Sequence, residues 1–546
     1  MFLDFAWILA LAAGIGLLAA RLRQPSIVAF IVVGILVGPA VLGWVGHNDA
    51  VEVLAQLGVT VLLFLVGLKL DPALVRQLGP VAMATGLGQL GFTIAFGFLI
   101  ALAMGMDGVT ALYVAVALTF SSTIIIIKLL GDKRELDSLH GRIATGFLIV
   151  QDIAVVLAMM VIGALGVGAG AEQGAIDWWG WGIRLLAAML AVFVLVRFGL
   201  RWILPWMATA PELMVVFSVA WGVALAALGE QLGLSKEVGA FIAGFALAGT
   251  PFREAVGARL SGLRDFLLLF FFVELGSKLA FADLGSQLPA ALVLSVFVLV
   301  GNPLIVMAIM GFMGYRRRTG FLAGLTVAQI SEFSVIFVAM GVALGHVGAP
   351  ALSLVTLVGL VTIALSSYMI MYSHRLFAWI GPWLGAFERR DPWRERSEAP
   401  AAEPPAVLVF GTGRYGARLL AAIRREGVPA LGIDFDPVAV EQARRLGLPV
   451  RFGDAEDPEF AHTLPLSGAR LAVSTLADTD SVGHLRRALA EAGFRGRFAA
   501  AARLPDAAAR LRRLGVDILL DPFEDAAEQA ATTVRASLSG EAAPRT

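Results

Sequence analysis

Long apolar stretches recur along the first two thirds of the chain, separated by short polar segments. A membrane-spanning helix needs about 20 mostly apolar residues, and on that rule we predict about thirteen spans. Their centres fall near Ala12, Val33, Leu62, Gly91, Ser121, Val155, Met189, Trp221, Phe245, Phe271, Phe297, Ile330 and Val361. The span near Phe245 is short. The pattern predicts a polytopic α-helical membrane protein.

Basic residues are concentrated in alternate connections between these spans. They include Arg21 and Arg23, Lys69 and Arg76, Lys133, Arg134 and Arg142, Arg197 and Arg201, Arg253, Arg259 and Arg264, and Arg316 to Arg318. The intervening connections are poor in lysine and arginine. Because basic loops stay in the cytoplasm, we predict an outside N-terminus and a cytosolic C-terminus.

After His374 the composition changes to a charged, proline-rich stretch that cannot build a core. We therefore predict a transmembrane domain at residues 1–384, a linker at 385–405, a cytosolic domain at 406–525 and a flexible tail at 526–546.

The region 406–525 alternates short apolar strands with helices rich in alanine and arginine. The strand candidates are Val407–Phe410, Pro429–Ile433, Pro449–Phe452, Leu471–Ser474, Phe498–Ala501 and Asp517–Leu520. Such alternation predicts a doubly wound parallel sheet, a Rossmann-like α/β domain.

A glycine-rich turn follows the first strand of this domain. Gly411, Gly413 and Gly416 have the spacing of a dinucleotide fingerprint, and Asp434 ends the next strand, where it would accept hydrogen bonds from ribose hydroxyls. The predicted nucleotide site comprises Gly411, Gly413, Arg414, Tyr415, Gly416, Asp434, Asp436 and Asp454. The alternative is a Rossmann-like sheet with a vestigial pocket.

The strongest functional candidate in the membrane half is Asp152, which with Gln151 interrupts the apolar run from 146 to 156. A charge inside the bilayer is costly unless it faces a cavity or a partner, so it marks an ion or proton path. A proton and a cation would compete for this carboxylate, which predicts exchange. Gln151 offers a neutral carbonyl oxygen, so we place K⁺ at Asp152 and Gln151. The alternative is a structural aspartate that pairs with a lysine.

Two further polar interruptions lie in other predicted spans. Ser121, Ser122 and Thr123 place three hydroxyls together at mid-membrane, where a broken helix would offer oxygens to a cation; bonding back to their own helix is the plainer alternative. Gln329, Ser331 and Glu332 form the second interruption, and we expect Glu332 to neutralise a helix end or tune the cavity.

The role of Lys278 leaves open how many protons are exchanged for each cation. With Glu274 four residues earlier it forms an intrahelical pair, or it extends outward from a helix end. The alternative is a salt bridge to Asp152 that breaks on cation binding, which would allow a second proton and electrogenic exchange. With Asp152 as the single titrating acid, we expect electroneutral exchange.

Composition excludes several classes of protein. The chain is 58% hydrophobic with a net charge of zero, so it has no basic surface for nucleic acid. It contains no cysteine, which excludes disulfides, thiolate metal sites and cysteine nucleophiles.

These features together resemble the Kef-type branch of the monovalent cation:proton antiporters. The resemblance rests on the pair Gln151-Asp152, on Leu118-x-x-Ser-Ser-Thr123, on Gln329-x-x-Glu-Phe333, on Phe271-Phe-Val-x-x-Gly276 and on Gly411-Thr-Gly-Arg-Tyr-Gly416. It implies potassium-for-proton exchange by a homodimer, an inverted repeat with two crossed broken helices built from the Ser121 and Gln329 regions, and a regulator-of-potassium-conductance (RCK, or TrkA-N) domain. That domain is expected to bind a nucleotide, AMP or NAD(H), and an ancillary regulatory subunit is left open.

The chain departs from that resemblance at two places. Residues 253–265 are mixed to basic, whereas the glutathione-gated members have an acidic segment there, so glutathione gating is not implied. Lys278 stands where an uncharged residue is expected.

The function predicted from the sequence is K⁺ efflux coupled to H⁺ uptake across a bacterial inner membrane, by an antiporter and not an enzyme. Sodium/proton exchange on the same scaffold is the nearest alternative. A nucleotide-gated potassium channel is disfavoured because no Thr-Val-Gly-Tyr-Gly-like filter is present. A membrane-anchored dehydrogenase would need a substrate domain, which the pattern does not provide.

Overall fold

The structure is a computed structural model of the whole chain. It describes residues 2–39, 41–43, 49–69, 80–133, 135–136, 138–168, 183, 186, 211–232, 235–278, 281–389, 404–453, 455, 458–461, 463–476, 478–502 and 505–539. The chain divides into two compact units, one formed by nearly all residues up to Arg389 and one formed from residue 390 onward.

The described part of the first unit is helical. Its helices are α1 (Phe2–Arg21), α2 (Ser26–Val37), α3 (Asp49–Lys69), α4 (Pro80–Ala103), α5 (Gly108–Ala117), α6 (Thr123–Asp132), α7 (Leu139–Gly168), α8 (Pro211–Gln231), α9 (Lys236–Ala248), α10 (Arg253–Ser277), α11 (Phe281–Val296), α12 (Asn302–Phe312), α13 (Arg317–Leu325), α14 (Glu332–Ala343), α15 (Ala349–Met371) and α16 (Ser373–Ile380). A π-helical turn, Phe297–Gly301, joins α11 to α12, and a 3₁₀ helix, Gly381–Phe387, follows α16.

Among the described residues of this unit, six segments are long and apolar enough to cross a membrane. They are Ala50–Lys69, Pro80–Ala103, Leu139–Gly163, Glu212–Gln231, Gln287–Phe312 and Ala349–Met371. Shorter apolar helices lie beside them in the sequence. The predicted span near Met189 lies outside the described residues, so the count of about thirteen spans stays a prediction.

Two membrane helices are broken where the sequence places clustered polar residues. α5 ends at Ala117 and α6 begins at Thr123, with the hydroxyl of Ser122 accepting the backbone N–H of Ile125 at 3.5 Å. Serine favours such caps because its side chain competes with the helix for backbone groups. The first predicted interruption is therefore a true break in the helix.

The second break lies between α13 and α14. Ser331 caps α14 in a capping box with Ser334. The Ser334 hydroxyl also donates to the carbonyl oxygen of Phe120 at 3.5 Å, so the two breaks meet inside the unit. This contact agrees with the expected crossing of two broken helices.

Glycines allow close packing of the helices around α3. A methyl group at Gly244 would collide with the carbonyl oxygen of Phe64, and one at Gly58 in α3 would lie 2.9 Å from the carbonyl oxygen of Leu267 in α10. Small residues let membrane helices approach in this way. α3, α9 and α10 thus pack tightly around buried Phe64.

The second unit is built on a six-stranded parallel sheet. The strands are β1 (Val407–Phe410), β2 (Ala430–Asp434), β3 (Val450–Phe452), β4 (Leu471–Ser474), β5 (Arg497–Ala501) and β6 (Ile518–Leu520). Their spatial order is β3-β2-β1-β4-β5-β6, and β1 pairs with both β2 and β4. This confirms the predicted doubly wound sheet, with strand ends within about one residue of the predictions.

Helices connect these strands and cover the sheet. They are α17 (Arg414–Arg425), α18 (Pro437–Arg445), α19 (Pro458–Ala461), α20 (Thr479–Glu491), α21 (Pro505–Arg513) and α22 (Pro522–Ser539). Buried clusters lie on both faces of the sheet, as its uniformly buried strands require. The strand order reverses beside β1, which places the glycine-rich turn at the ligand-binding edge typical of this fold.

Candidate functional site

Asp152 lies in α7 opposite the first helix break. Its Oδ2 accepts a hydrogen bond from the Thr123 hydroxyl, the first residue of α6, at 3.0 Å. Lys69 and Glu332 are near enough to interact with Asp152 electrostatically. The structure thus brings the predicted carboxylate to the start of a half-helix, where a positive dipole end favours negative charge.

Gln151 is buried beside Asp152 and holds the break in place. Its Oε1 accepts the backbone N–H of Ser121 at 3.0 Å, and its Nε2 donates to the Oε1 of Gln89 at 2.7 Å. The carbonyl oxygen that we predicted as a cation ligand therefore already has one partner. A carbonyl oxygen has a second lone pair, so ligation of K⁺ by Gln151 stays a prediction.

Gln89 extends this chain of amides. Its Nε2 donates to the hydroxyl of Thr93 at 3.1 Å and to the carbonyl oxygen of Thr119 at 3.3 Å. Thr93 in turn donates to the Oδ1 of Asn302 at 2.9 Å. These side chains are fully buried, so each bond satisfies a polar group that water cannot reach.

Asn302 connects the two breaks. Its Nδ2 donates to the carbonyl oxygen of Leu118 at 3.2 Å and to that of Val327 at 3.5 Å. These carbonyls belong to the ends of α5 and α13, where a helix leaves its acceptors without partners. The π-helical turn just before Asn302 shifts the register of that helix at this point.

Among the residues that the structure describes, two polar atoms at the breaks are buried and have no hydrogen-bond partner. They are the hydroxyl oxygen of Ser121 and the Nε2 of Gln329. The Oε1 of Gln329 accepts a hydrogen bond from Ser366 at 2.8 Å. A buried polar group without a partner is rare and indicates a ligand or a water at that place.

Glu332 begins α14 and is buried, and Ser331 donates to its Oε2 at 3.3 Å. It lines a cavity of about 790 Å³, to which Lys128, Asp132 and Asp265 also contribute. Glu332 thus lies in the first turn of a helix, where a negative charge is favoured, and its role in neutralising the helix end stays a prediction.

A second cavity of about 280 Å³ lies at the C-terminal end of α10, and Lys278 lines it. Lys278 pairs with Glu274 at 2.5 Å, and 61% of its side chain is exposed. The intrahelical pair is thus the arrangement in this structure, and the salt bridge from Lys278 to Asp152 is not formed.

The glycine-rich turn in the second unit has the geometry that the fingerprint requires. Gly411 has a φ of +87°, and a methyl group at Gly416 would collide with the carbonyl oxygen of Gly411. Nothing lies within 4 Å of a methyl group placed at Gly413, so its face is open to a phosphate. Arg414 begins α17, whose free N–H groups favour an anion.

Asp434 ends β2 beside this turn and is nearly buried. Its carboxylate accepts the backbone N–H and the hydroxyl of Thr412 and the backbone N–H of Asp436. Burial raises the pKa of Asp434 above its ordinary value, and these hydrogen bonds only partly oppose the shift. Tyr415 is half-buried, and burial followed by the charge of Asp525 raises the pKa of its hydroxyl. Asp454 lies outside the described residues.

Comparison with known proteins gives the family. Residues 8–371 match the model of the transmembrane sodium/hydrogen exchanger family, and residues 407–522 match that of the TrkA-N domain. The chain belongs to the sodium/hydrogen exchanger family. The exchanger is therefore a cation/proton antiporter of the membrane with a C-terminal TrkA-N domain, as the sequence predicts.

Two relatives of the exchanger, KefB and YbaL, support the Kef-type assignment. It is 29% identical over 472 residues to the putative K(+) efflux antiporter KefB of Alkalimonas amylolytica, covering 84% of this chain and 69% of the relative. It is 27% identical over 498 residues to the putative cation/proton antiporter YbaL of Escherichia coli, covering 87% of each chain. The sodium proton antiporter MjNhaP1 of Methanocaldococcus jannaschii aligns with 68% of this chain and 99% of its own at 14% identity, with a TM-score of 0.48.

Sequence reasoning missed four residues of the exchanger's sites. Gln89, Thr93 and Asn302 in the membrane unit were not among the predictions, although a glutamine within an apolar span is itself a signal. In the TrkA-N domain, Thr475 donates from its hydroxyl to the carbonyl oxygen of Gly411 at 2.8 Å. Thr475 follows β4, whose pairing with β1 only the fold reveals.

Proposed function

We propose that the exchanger couples K⁺ efflux to H⁺ uptake by alternating access, with Asp152 as the shared site. The observation that carries this proposal is the position of the Asp152 carboxylate at a break in a membrane helix, with Thr123 as its hydrogen-bond partner. In the part of the chain that the structure describes, no lysine or arginine is hydrogen-bonded to it.

In this proposal, competition between H⁺ and K⁺ for the Asp152 carboxylate couples the movement of one ion to that of the other. Protonated Asp152 is neutral and retains the Thr123 contact, whereas the ionised form needs a cation beside it before it can cross a low-dielectric barrier. The unpartnered hydroxyl oxygen of Ser121 and the oxygens freed by the helix break are hard ligands suited to a dehydrated alkali cation. Ser122, which caps α6, completes the set of hydroxyl residues at this break.

The two cavities support alternating access. The larger one reaches the broken-helix region beside Asp265 in the middle of α10, and the smaller one lies beside Lys278 at the C-terminal end of that helix. Lys133 in the larger cavity belongs to a loop predicted to be cytosolic. We infer an inward-facing state, in which K⁺ enters from the cytoplasm.

The exchange is electroneutral in this proposal. Lys278 is paired with Glu274, so its charge does not alternate with that of Asp152. One proton then replaces one K⁺, and the loaded carboxylate carries no net charge in either direction.

The C-terminal domain regulates this exchange in our proposal. AMP or NAD(H) binds at the turn Gly411–Gly416, with its ribose on Asp434, and occupancy biases the transport unit between mobile and locked states. A homodimer in a bacterial inner membrane is the expected assembly.

Proton flux in proteoliposomes tests the proposal. Vesicles with an imposed pH gradient receive K⁺ or Na⁺, with valinomycin clamping the voltage in the K⁺ arm. We expect K⁺ to collapse the gradient in the wild type and not in Asp152→Asn. Asp132→Asn is the matched control, because Asp132 lines the same larger cavity away from the break.

The other outcomes separate the alternatives. Collapse by Na⁺ but not K⁺ would make the protein a sodium/proton exchanger, the alternative that the family's name favours. K⁺ flux without proton movement would identify a channel. Full activity of Asp152→Asn would make Asp152 structural and would refute the mechanism.

A further inference from the structure

A short segment with unusual surface composition follows the last long membrane helix. α15 ends at Met371, and the chain continues at once into α16 and the 3₁₀ helix, which are eight and seven residues long. At rises of 1.5 and 2.0 Å per residue, the two elements extend over about 26 Å. We call residues 373–389 the exit segment.

One face of the exit segment packs against the membrane unit. The ring of Phe377 contacts that of Phe321 in α13, with centroids 5.6 Å apart. Arg317 donates to the carbonyl oxygen of Gly381 at 3.3 Å and lies 3.4 Å from the carboxylate of Glu388. The segment is therefore held to the protein along its length.

The opposite face presents two tryptophans to the surroundings. Trp379 is 77% exposed and Trp383 is 87% exposed, although the indole ring is one of the largest apolar surfaces among side chains. Arg375 lies over the ring of Tyr372, with 5.9 Å between the guanidinium carbon and the ring centroid. Exposed indoles beside arginines are typical of the lipid–water interface.

Contacts at both ends set the depth of the segment relative to the membrane spans. It starts two residues after Met371, which ends the span Ala349–Met371. At its far end, the Arg389 guanidinium lies 4.6 Å from the ring centroid of Phe312, the last residue of the span Gln287–Phe312. A methyl group at Gly311 would collide with the carbonyl oxygen of Phe387, so this contact is close. Because both ends lie level with span ends, the segment runs along the membrane boundary.

We propose that the exit segment lies in the plane of the cytosolic lipid interface, with Trp379 and Trp383 inserted among the headgroups. The leaflet is the cytosolic one because the chain continues into the cytosolic TrkA-N domain. Arg375 and Arg389 extend toward anionic headgroup phosphates, which attract basic residues near the surface. The segment thus anchors the start of the connection to the nucleotide-binding domain in the bilayer.

Because the chain contains no cysteine, a single introduced cysteine can be labelled to measure how deeply each tryptophan position lies in the bilayer. Trp379→Cys and Trp383→Cys are labelled separately with a nitroxide in the full-length protein, in vesicles of phosphatidylethanolamine and phosphatidylglycerol. Collision rates with oxygen and with a water-soluble nickel chelate are then measured. Val300→Cys, exposed within a span, provides the hydrocarbon reference, and Leu446→Cys, exposed in the C-terminal unit, provides the aqueous reference.

At both tryptophan sites we expect the ratio of the oxygen collision rate to the nickel collision rate to lie between the ratios at Val300→Cys and Leu446→Cys. Replacing phosphatidylglycerol with phosphatidylcholine should raise nickel access there at least twofold and leave Val300→Cys unchanged. Ratios equal to that of Leu446→Cys would place the segment in water and overturn the proposal. Low access of both reagents to the tryptophan sites would mean that protein covers this face, which would also overturn the proposal. Dipolar broadening between the nitroxides would then identify the covering protein as a second copy of this chain.

A second measurement does not depend on the labelled variants folding. Lipids brominated near the headgroup should quench wild-type fluorescence more than that of the double variant Trp379→Phe, Trp383→Phe, which keeps aromatic rings at both positions. Equal fractional quenching in the two proteins would overturn the proposal.

Discussion

Replacing Asn302 with leucine should destabilise the membrane unit strongly, because this amide holds both helix breaks. Leucine has a similar volume, so the change removes hydrogen bonds and leaves little cavity. The Thr93 hydroxyl and the Leu118 carbonyl lose bonds of 2.9 and 3.2 Å, and the Val327 contact at 3.5 Å is marginal. A buried donor or acceptor left unsatisfied costs about 1–3 kcal/mol, so the loss of a partner for the Thr93 donor and for the Leu118 acceptor costs about 2–6 kcal/mol.

That loss is a large part of the roughly 5–15 kcal/mol that stabilises a typical protein. Equilibrium unfolding in mixed detergent micelles measures it, and proteoliposome exchange at limiting K⁺ shows whether the breaks still support transport. We expect reduced stability together with reduced exchange.

Ser295→Ala is the matched control on the neighbouring helix α11. The Ser295 hydroxyl is also buried but has no hydrogen-bond partner within the described part of the chain, so its removal should leave stability unchanged or raised. If Asn302→Leu and Ser295→Ala unfold alike, the hydrogen bonds of Asn302 contribute no net stability. Asn302 would then not be the residue that holds the two breaks together.

Three further predictions concern other parts of the molecule. Burial opposes ionisation of Glu135, but hydrogen bonds from His140 and His374 and the charge of Lys133 outweigh it and lower the pKa of Glu135. Its ionised carboxylate should therefore stabilise the fold above the unfolded-state pKa of about 4.3, and this stabilisation should be lost as the pH falls toward the lowered pKa of the folded state. Glu135→Gln should lower the free energy of unfolding by about 2 kcal/mol at pH 7, and unfolding curves of the variant should depend less on pH in the acid range. Gly416→Ala should reduce nucleotide affinity at least tenfold by calorimetry, since its methyl group displaces the phosphate-binding turn, and unchanged affinity would argue for a vestigial pocket. Lys278→Gln should leave exchange within about twofold of the wild-type rate and still voltage-independent; a change in voltage dependence would show that Lys278 shares the charge of Asp152.

Local sequence was sufficient to predict the features that depend only on a residue and its neighbours in the chain. Spans could be placed because hydrocarbon demands about 20 apolar residues regardless of their neighbours. The glycine-rich turn could be predicted because a positive φ at Gly411 and the close approach at Gly416 are requirements of the backbone itself. Asp152 was recognisable because a carboxylate in an apolar span needs a functional reason.

The tertiary structure decided which polar groups meet. Gln89 and Gln151 are 62 residues apart in sequence, and Asn302 and Leu118 are 184 apart, yet each pair shares a hydrogen bond. No local pattern encodes such pairs, because they depend on how helices α4, α5, α7 and α12 pack. The same holds for Lys278, for which the sequence allows either Glu274 or Asp152 as a partner. Sequence alone thus determined the helical membrane character, the doubly wound fold of the C-terminal domain and the choice of Asp152 as the candidate carboxylate. Packing decided the hydrogen-bonded support around it, since buried polar groups must find partners wherever the fold brings them.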